Sequence, residues 1–273
     1  MTLLEFIEWR LGQKNVIHDF SLGALLTYHK LAYLYEHDDR LMLDKHFVWF
    51  KPTEKQRKLF IYKQWDYPKA TQVSSAFPLD LNLEFGSYKL KSKQEEVFYE
   101  LGTLEKNYHS YRKPINVFEK RPDLGVELRD FPQDLAGLSA LKGLHDQWVQ
   151  FKLSLPTTHR ISFPTGRYRN TLENWSIPMY RKAIYIKDKL YGFIVFSIEN
   201  EIAFELSFCS LFWKPEFKIL NGLNQYIFAY CAIQLQKQGV KFINSGYALN
   251  KNLKIFKHCS LKANKVFRYN YGV

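Results

Sequence analysis

Glu205 stands inside the apolar run Ile202-Ala-Phe-Glu-Leu-Ser-Phe208, and a carboxylate half-enclosed by apolar side chains is placed as a general base needs to be. Strand alternation gives it the face of Ala203 and Ser207, which can equally be the solvated side. Further on, Val240-Lys-Phe-Ile-Asn-Ser-Gly-Tyr247 reads as a compact strand ending in a turn. Asn244 there offers an amide donor, Ser245 and Tyr247 offer hydroxyl protons, and Gly246 lets the backbone turn, although Asn-Ser-Gly is also ordinary turn chemistry. A base with nearby donors is the minimum for acyl transfer to an amine or hydroxyl: one group takes the nucleophile's proton, another stabilises the oxyanion or protonates the leaving group. Glu205, Asn244 and Tyr247 are therefore the catalytic candidates.

Cations that suit phosphate lie in several places. The loop Lys214-Pro-Glu-Phe-Lys218-Ile-Leu-Asn-Gly222 carries two lysines and one glycine ahead of a helix; they are either phosphate contacts or a solvated pair. Lys257 can meet a phosphate or carboxylate, or be an exposed helix lysine. Arg167-Tyr168-Arg169 and the closing Lys262, Lys265, Arg268, Tyr269, Tyr271 interleave base with aromatic. That pattern suits phosphate contact with base stacking, but an amphipathic edge strand explains it better.

The whole chain agrees with such a ligand. Its 273 residues carry 39 basic and 27 acidic side chains, a formal charge of +12, which favours a phosphate-bearing partner: tRNA or another nucleic acid, anionic lipid head groups, or a small phosphorylated donor. At 46% hydrophobic and 17% aromatic residues the composition is globular and excludes disorder. Cys209, Cys231 and Cys259 are far apart and show neither disulfide nor metal-ligand spacing, so no metal is expected. The acidic N-terminal segment and the lack of any run of about 18 apolar residues point to a cytoplasmic protein.

Periodicity then supplies the elements. Capping boxes at Thr2/Glu5 and Ser92/Glu95 predict helices over 2–12 and 92–107, and a further helix runs from Ser21 to about His37. Phe47–Phe50 and Leu59–Tyr62 predict strands, with 63–88 largely irregular. From Val126 the order is strand 126–128, helix 134–152, a short helix 170–175 and strands 183–186, 190–198 and 202–208. A helix over 219–238 stopped by Gly239 follows, then a strand from 240, a short helix 250–257 and a strand 266–271.

That order resembles the Gcn5-related acyltransferase (GNAT) fold. Phe242-Ile-Asn-Ser-Gly246, Leu253, Phe256-Lys257 and a final aromatic strand are similar to the tail of the phosphatidylglycerol lysyltransferase C-terminal domain and its Fem-type relatives. Tyr111-Arg-Lys-Pro-Ile-Asn116-Val-Phe118 resembles the basic stretch of that family, and the helix ending at Trp148 also matches. The resemblance implies an α/β (α+β) fold with a mixed central sheet flanked by helices, in two tandem GNAT-like domains: a diverged one over 1–124 and a transferase domain over 125–273. It implies an acyl- or aminoacyltransferase whose donor is acyl-CoA or aminoacyl-tRNA. Donor or substrate contacts fall on Arg112, Lys113, Asn116, Trp148, Lys214, Lys218, Gly222, Ser245, Gly246 and Lys257. Three departures stand out. Tyr247-Ala-Leu stands where relatives carry acidic residues beside the glycine. Pro114 interrupts the basic stretch, and a loop with one glycine lacks the R/Q-x-x-G-x-G/A pattern that cradles a pyrophosphate, which turns the expectation towards aminoacyl-tRNA. The alternative is a non-catalytic binder of nucleic acid or an anionic surface on the same scaffold.

Overall fold

The computed structural model describes residues 8, 11, 18, 21–28, 34–37, 40–43, 47–50, 60–66, 69–75, 89–104, 112–154, 166–173, 179–211, 222–247, 257 and 264–272. The chain divides into two compact units, Met1–Glu96 with Lys265–Val273, and Val97–Asn264. The expected division lies at 124/125, with the closing strand in the second part. The expected helix over 2–12 falls largely outside the described residues, as does the one over 250–257, apart from Lys257.

The first unit opens with α1, Leu22–Tyr28. Ser21 Oγ accepts the N–H of Ala24 at 3.1 Å, so the hydroxyl satisfies a helix-end donor as an N-cap should. A helix reaching His37 was expected, but β1 (Leu34–His37) and β2 (Arg40–Leu43) form an antiparallel hairpin with His37 opposite Arg40. β3 (Phe47–Phe50) and β4 (Phe60–Asp66) fall where the aromatic runs predicted them, and β5 (Lys69–Ser75) fills part of the stretch read as irregular. These strands pair antiparallel in sequence order, and β12 (Asn264–Gly272) pairs antiparallel with β5, Tyr269 opposite Ser75.

β6, Lys89–Glu100, runs across the division and replaces the helix expected from the Ser92/Glu95 capping box. Among the described residues of that stretch the helical part is α2, Leu101–Leu104. The reason is tertiary: Val97 and Tyr99 are buried on alternate positions while Phe98 stacks on Phe242 with ring centroids 5.2 Å apart. A β-branched and aromatic run fitted to a neighbouring strand outweighs a weak local helix preference.

In the second unit α3, Lys113–Glu119, places Pro114 in its first turn, where proline's missing N–H and fixed φ fit a helix. The basic stretch is thus helical and Pro114 begins the helix instead of breaking it. β7 (Val126–Asp130), α4 (Leu135–Ser154), α5 (Gly166–Glu173), β8 (Met179–Ile186), β9 (Lys189–Glu199), β10 (Ile202–Ser210), α6 (Leu223–Lys237) and β11 (Phe242–Tyr247) follow. The strands lie in the order β6-β11-β10-β9-β8-β7. Pairs among β7 to β10 are antiparallel, and β10 with β11 is parallel. The β8–β9 turn uses Lys187 and Asp188 at φ 49° and 64°, the left-handed pair that matches the twist of a tight hairpin. Gly239, at φ 88°, stops α6 as predicted.

Helices cover both faces of this sheet. α6 is buried almost all round, through Leu223, Tyr226, Ile227, Phe228, Ala229, Cys231, Ala232 and Leu235, and Phe228 contacts Phe196 of β9 with centroids 6.5 Å apart. α4 and α5 pack on the other face, against β9 and β10. The buried side of α4 is Leu141, Leu144, His145 and Trp148, whereas Leu135, expected on it, is 87% exposed. Among the described residues no helix is long and apolar enough to cross a membrane.

Candidate functional site

β10 and β11 pair only at Ile202↔Phe242, Ala203↔Ile243 and Phe204↔Asn244. β10 then continues to Ser210 and β11 to Tyr247 without pairing to each other. Glu205 and Ser245 are the first residues beyond the last rung. The Ser245 hydroxyl donates to the Glu205 carboxylate, and the Lys257 ammonium donates to the Ser245 carbonyl. Lys257 is only 6% exposed, and its own carbonyl accepts the Tyr99 hydroxyl at 3.3 Å. A carboxylate, a hydroxyl and a buried ammonium, far apart in sequence, thus meet where two parallel strands part.

A bulge fixes which way the carboxylate faces. Glu205 lies opposite Phe196 and Ser207 opposite Val195, so Leu206 is an extra residue on β10. Phe196 and Val195 are neighbours on one strand and point to opposite faces. Phe196 meets Phe228 of α6, while the Ser207 hydroxyl lies 3.1 Å from that of Thr171 on α5. Glu205 therefore faces α6 and Ser207 faces α5. Glu205 shares the face of Ala203 as expected but not that of Ser207, because simple alternation does not survive the extra residue.

Asn244 is fully buried. Its Oδ1 accepts the N–H of Gly246 at 2.8 Å, and Gly246 sits at φ 63°, where glycine is favoured. Asn244 and Gly246 thus build the turn that presents Ser245. Tyr247 closes β11, half-buried. Gly222, at φ 88°, is the N-cap of α6, whereas Lys214 and Lys218 lie outside the described residues. Arg112 and Lys113 are exposed and Asn116 half-buried on α3, which packs on α6 through Phe118 and Tyr226 at 4.8 Å; none contacts the Glu205 cluster. Trp148 belongs to the opposite face, beside His145 and Tyr168 at 6.5 and 5.6 Å.

The sequence reading missed Tyr180 and Cys231, which line the α6 face near Glu205. Burial pushes the Cys231 thiol up to about 12; the Glu205 charge adds to the rise, while Tyr180 and Lys182 oppose it. Burial likewise raises the Tyr180 phenol, with Cys231 and Tyr230 adding. Their signal was weak: Tyr180 enters through strand register and Cys231 through a helix buried all round. Among the described residues no cluster of three or more His, Cys, Asp and Glu side chains could hold a metal.

No family model matches the sequence, and no curated protein matches it. Solved structures do. A conserved protein of unknown function from Bacteroides thetaiotaomicron VPI-5482 superposes with TM-score 0.67 at 16% identity, covering 100% of this chain and 98% of that one. FemX superposes with TM-score 0.63 at 10% identity over 100% of this chain and 96% of its own. L-PGS from Bacillus licheniformis gives TM-score 0.51 at 17% identity over 71% of this chain and 64% of its own. What such distant likeness carries is architecture, and with the parallel β10–β11 pair parting beside an α6-covered face it establishes that this chain has a GNAT-like fold.

Proposed function

We propose that the protein is a transferase that moves an acyl or aminoacyl group from a phosphate-bearing donor to an amine or hydroxyl. The observation that carries this is the placement of Glu205 and Ser245 at the point where β10 and β11 stop pairing. A donor carbonyl lying between the strands would find backbone N–H groups for its oxyanion. Glu205 takes the proton of the attacking amine or hydroxyl as the new bond to the carbonyl carbon forms. The donor's ester or thioester bond then breaks, and its leaving oxygen or sulfur takes a proton, with Ser245 and Tyr247 as the nearby hydroxyls. Lys257 and Asn244 hold the Ser245 segment in place.

The resemblance to lysyltransferase and Fem-type sequences, the likeness in fold to FemX and the net charge of +12 favour aminoacyl-tRNA over acyl-CoA. In this reading the first unit is a diverged copy of the second, and the compartment is the cytoplasm, where aminoacyl-tRNA is found. Nucleic-acid extraction and mass spectrometry of the freshly purified protein test the donor. Bound tRNA is the expected result, bound CoA would replace the aminoacyl donor by an acyl one, and neither would contradict tight recognition of a phosphate-bearing donor.

A further inference from the structure

Among the described residues of the second unit, several lysines drawn partly or wholly out of water have a partner. Lys142 pairs with Glu173 at 2.8 Å, Lys182 with Asp130 at 2.7 Å, and Lys257 with the Ser245 carbonyl. Lys152, in the last turn of α4, has no carboxylate partner among the described residues. Its ammonium rests over the rings of Trp148 and Phe151, 5.4 and 5.6 Å from their centroids. An ammonium taken partly out of water is costly unless paired, and ring faces compensate only in part. Burial accordingly lowers the affinity of Lys152 for its proton. It is near enough to Cys209 for each to affect the other's protonation; that thiol is held neutral by its own burial and offers no counter-charge.

Position adds a second, independent argument. Cys209 lies on β10 beyond the bulge, in the stretch that no longer pairs with β11. It is opposite Phe193, on the face covered by α4 and α5. The uncompensated cation therefore stands beside the far end of the length of β10 that runs on past its pairing with β11, several residues past Glu205.

We propose that Lys152 is an anion-binding residue, taking a phosphate group of a ligand that lies beside β10 beyond its pairing with β11, with Trp148 and Phe151 as the floor on which the ammonium rests. Assigning that phosphate to the transfer donor rests on the transferase reading; the anion subsite itself does not.

The test is binding of three probes, inorganic pyrophosphate, coenzyme A and uncharged tRNA, to the full chain and to Lys152→Met, which keeps the apolar stem, with Lys152→Arg as the charge-restoring variant. At least one probe is expected to bind the native protein, and Lys152→Met to bind it about tenfold more weakly, with a salt slope reduced by about one. Lys152→Arg should recover the slope. NMR of the Lys152 side chain should show its pKa rising when that probe binds, since a nearby anion favours the charged form. The ligand-free Lys152→Met protein should melt no lower than the native one, which a purely structural lysine would not give. No binding by any probe, or equal affinity and slope in Lys152→Met, overturns the proposal. If the subsite binds but Glu205→Gln leaves donor turnover unchanged, the transferase reading fails and the anion site stands.

Discussion

Glu205 is the residue on which the proposed chemistry turns, because its carboxylate accepts the Ser245 hydroxyl of the neighbouring strand just where the two strands part. Glu205→Gln preserves shape and hydrogen bonding and should lower turnover by roughly 10²- to 10⁴-fold, the usual worth of a positioned base, with an unchanged circular dichroism spectrum. Cys209 and Cys231 are buried thiols whose pKa is raised by that burial. Thiolate, the reactive form, is scarce there. Iodoacetamide at neutral pH should leave both unlabelled in the native protein and label both after denaturation, as read by peptide mass spectrometry. Lys152 gives a pH signature. Its folded-state pKa lies below 10.5, so the penalty for burying the charge is full below that folded value and fades as the pH rises through it. The stability gained by Lys152→Met should therefore be greatest near neutral pH and shrink in the alkaline range below 10.5, as read by urea unfolding at several pH values.

Elements decide how such residues are aimed. Gly192 of β9 is one constraint: a Cβ there would lie 2.8 Å from the Cys209 backbone carbonyl and 3.0 Å from Ile184 Cδ1. The backbone contact cannot swing away. Gly192→Ala should cost about 1 to 3 kcal/mol, read as a lower urea midpoint with little change in slope. Much of this level was legible in sequence. The β8-β9-β10 meander, α4 and α6 follow from turn residues and long apolar periods, and the Gly239 stop is seen at φ 88°. β6 was not legible, because Ser92 and Glu95 imitate a capping box while Phe98 is held by Phe242 on a strand more than a hundred residues away. Nor was the bulge at Leu206, since one extra residue leaves no trace in composition yet reverses every face after it.

For the molecule as a whole, a charge of +12 and a GNAT-like fold point the same way without naming a substrate. Sequence placed Glu205, Asn244, Ser245, Gly246 and Lys257 as separate candidates, and folding brings them together because β10 and β11 are parallel and adjacent. It also offered Arg112 and Lys113, which the fold places on the exposed side of α3, and Trp148, which lies on the far face of the sheet beneath the Lys152 ammonium. Lys152 escaped notice, since a lone lysine at a helix end looks like any solvated one until its missing partner is seen. The division at Glu96/Val97 was equally hidden, because it falls within a strand and no linker composition marks it.

The most direct test is donor consumption. Radiolabelled aminoacyl-tRNAs and acyl-CoAs, each incubated with a mixture of amine and hydroxyl acceptors, are followed for transfer of label with the native protein and with Glu205→Gln. Transfer from one donor class by the native protein, falling at least about a hundredfold in Glu205→Gln, is the predicted result. Label left on every donor, or released equally fast by both proteins, would contradict the assignment of the β10–β11 divergence as a transferase site.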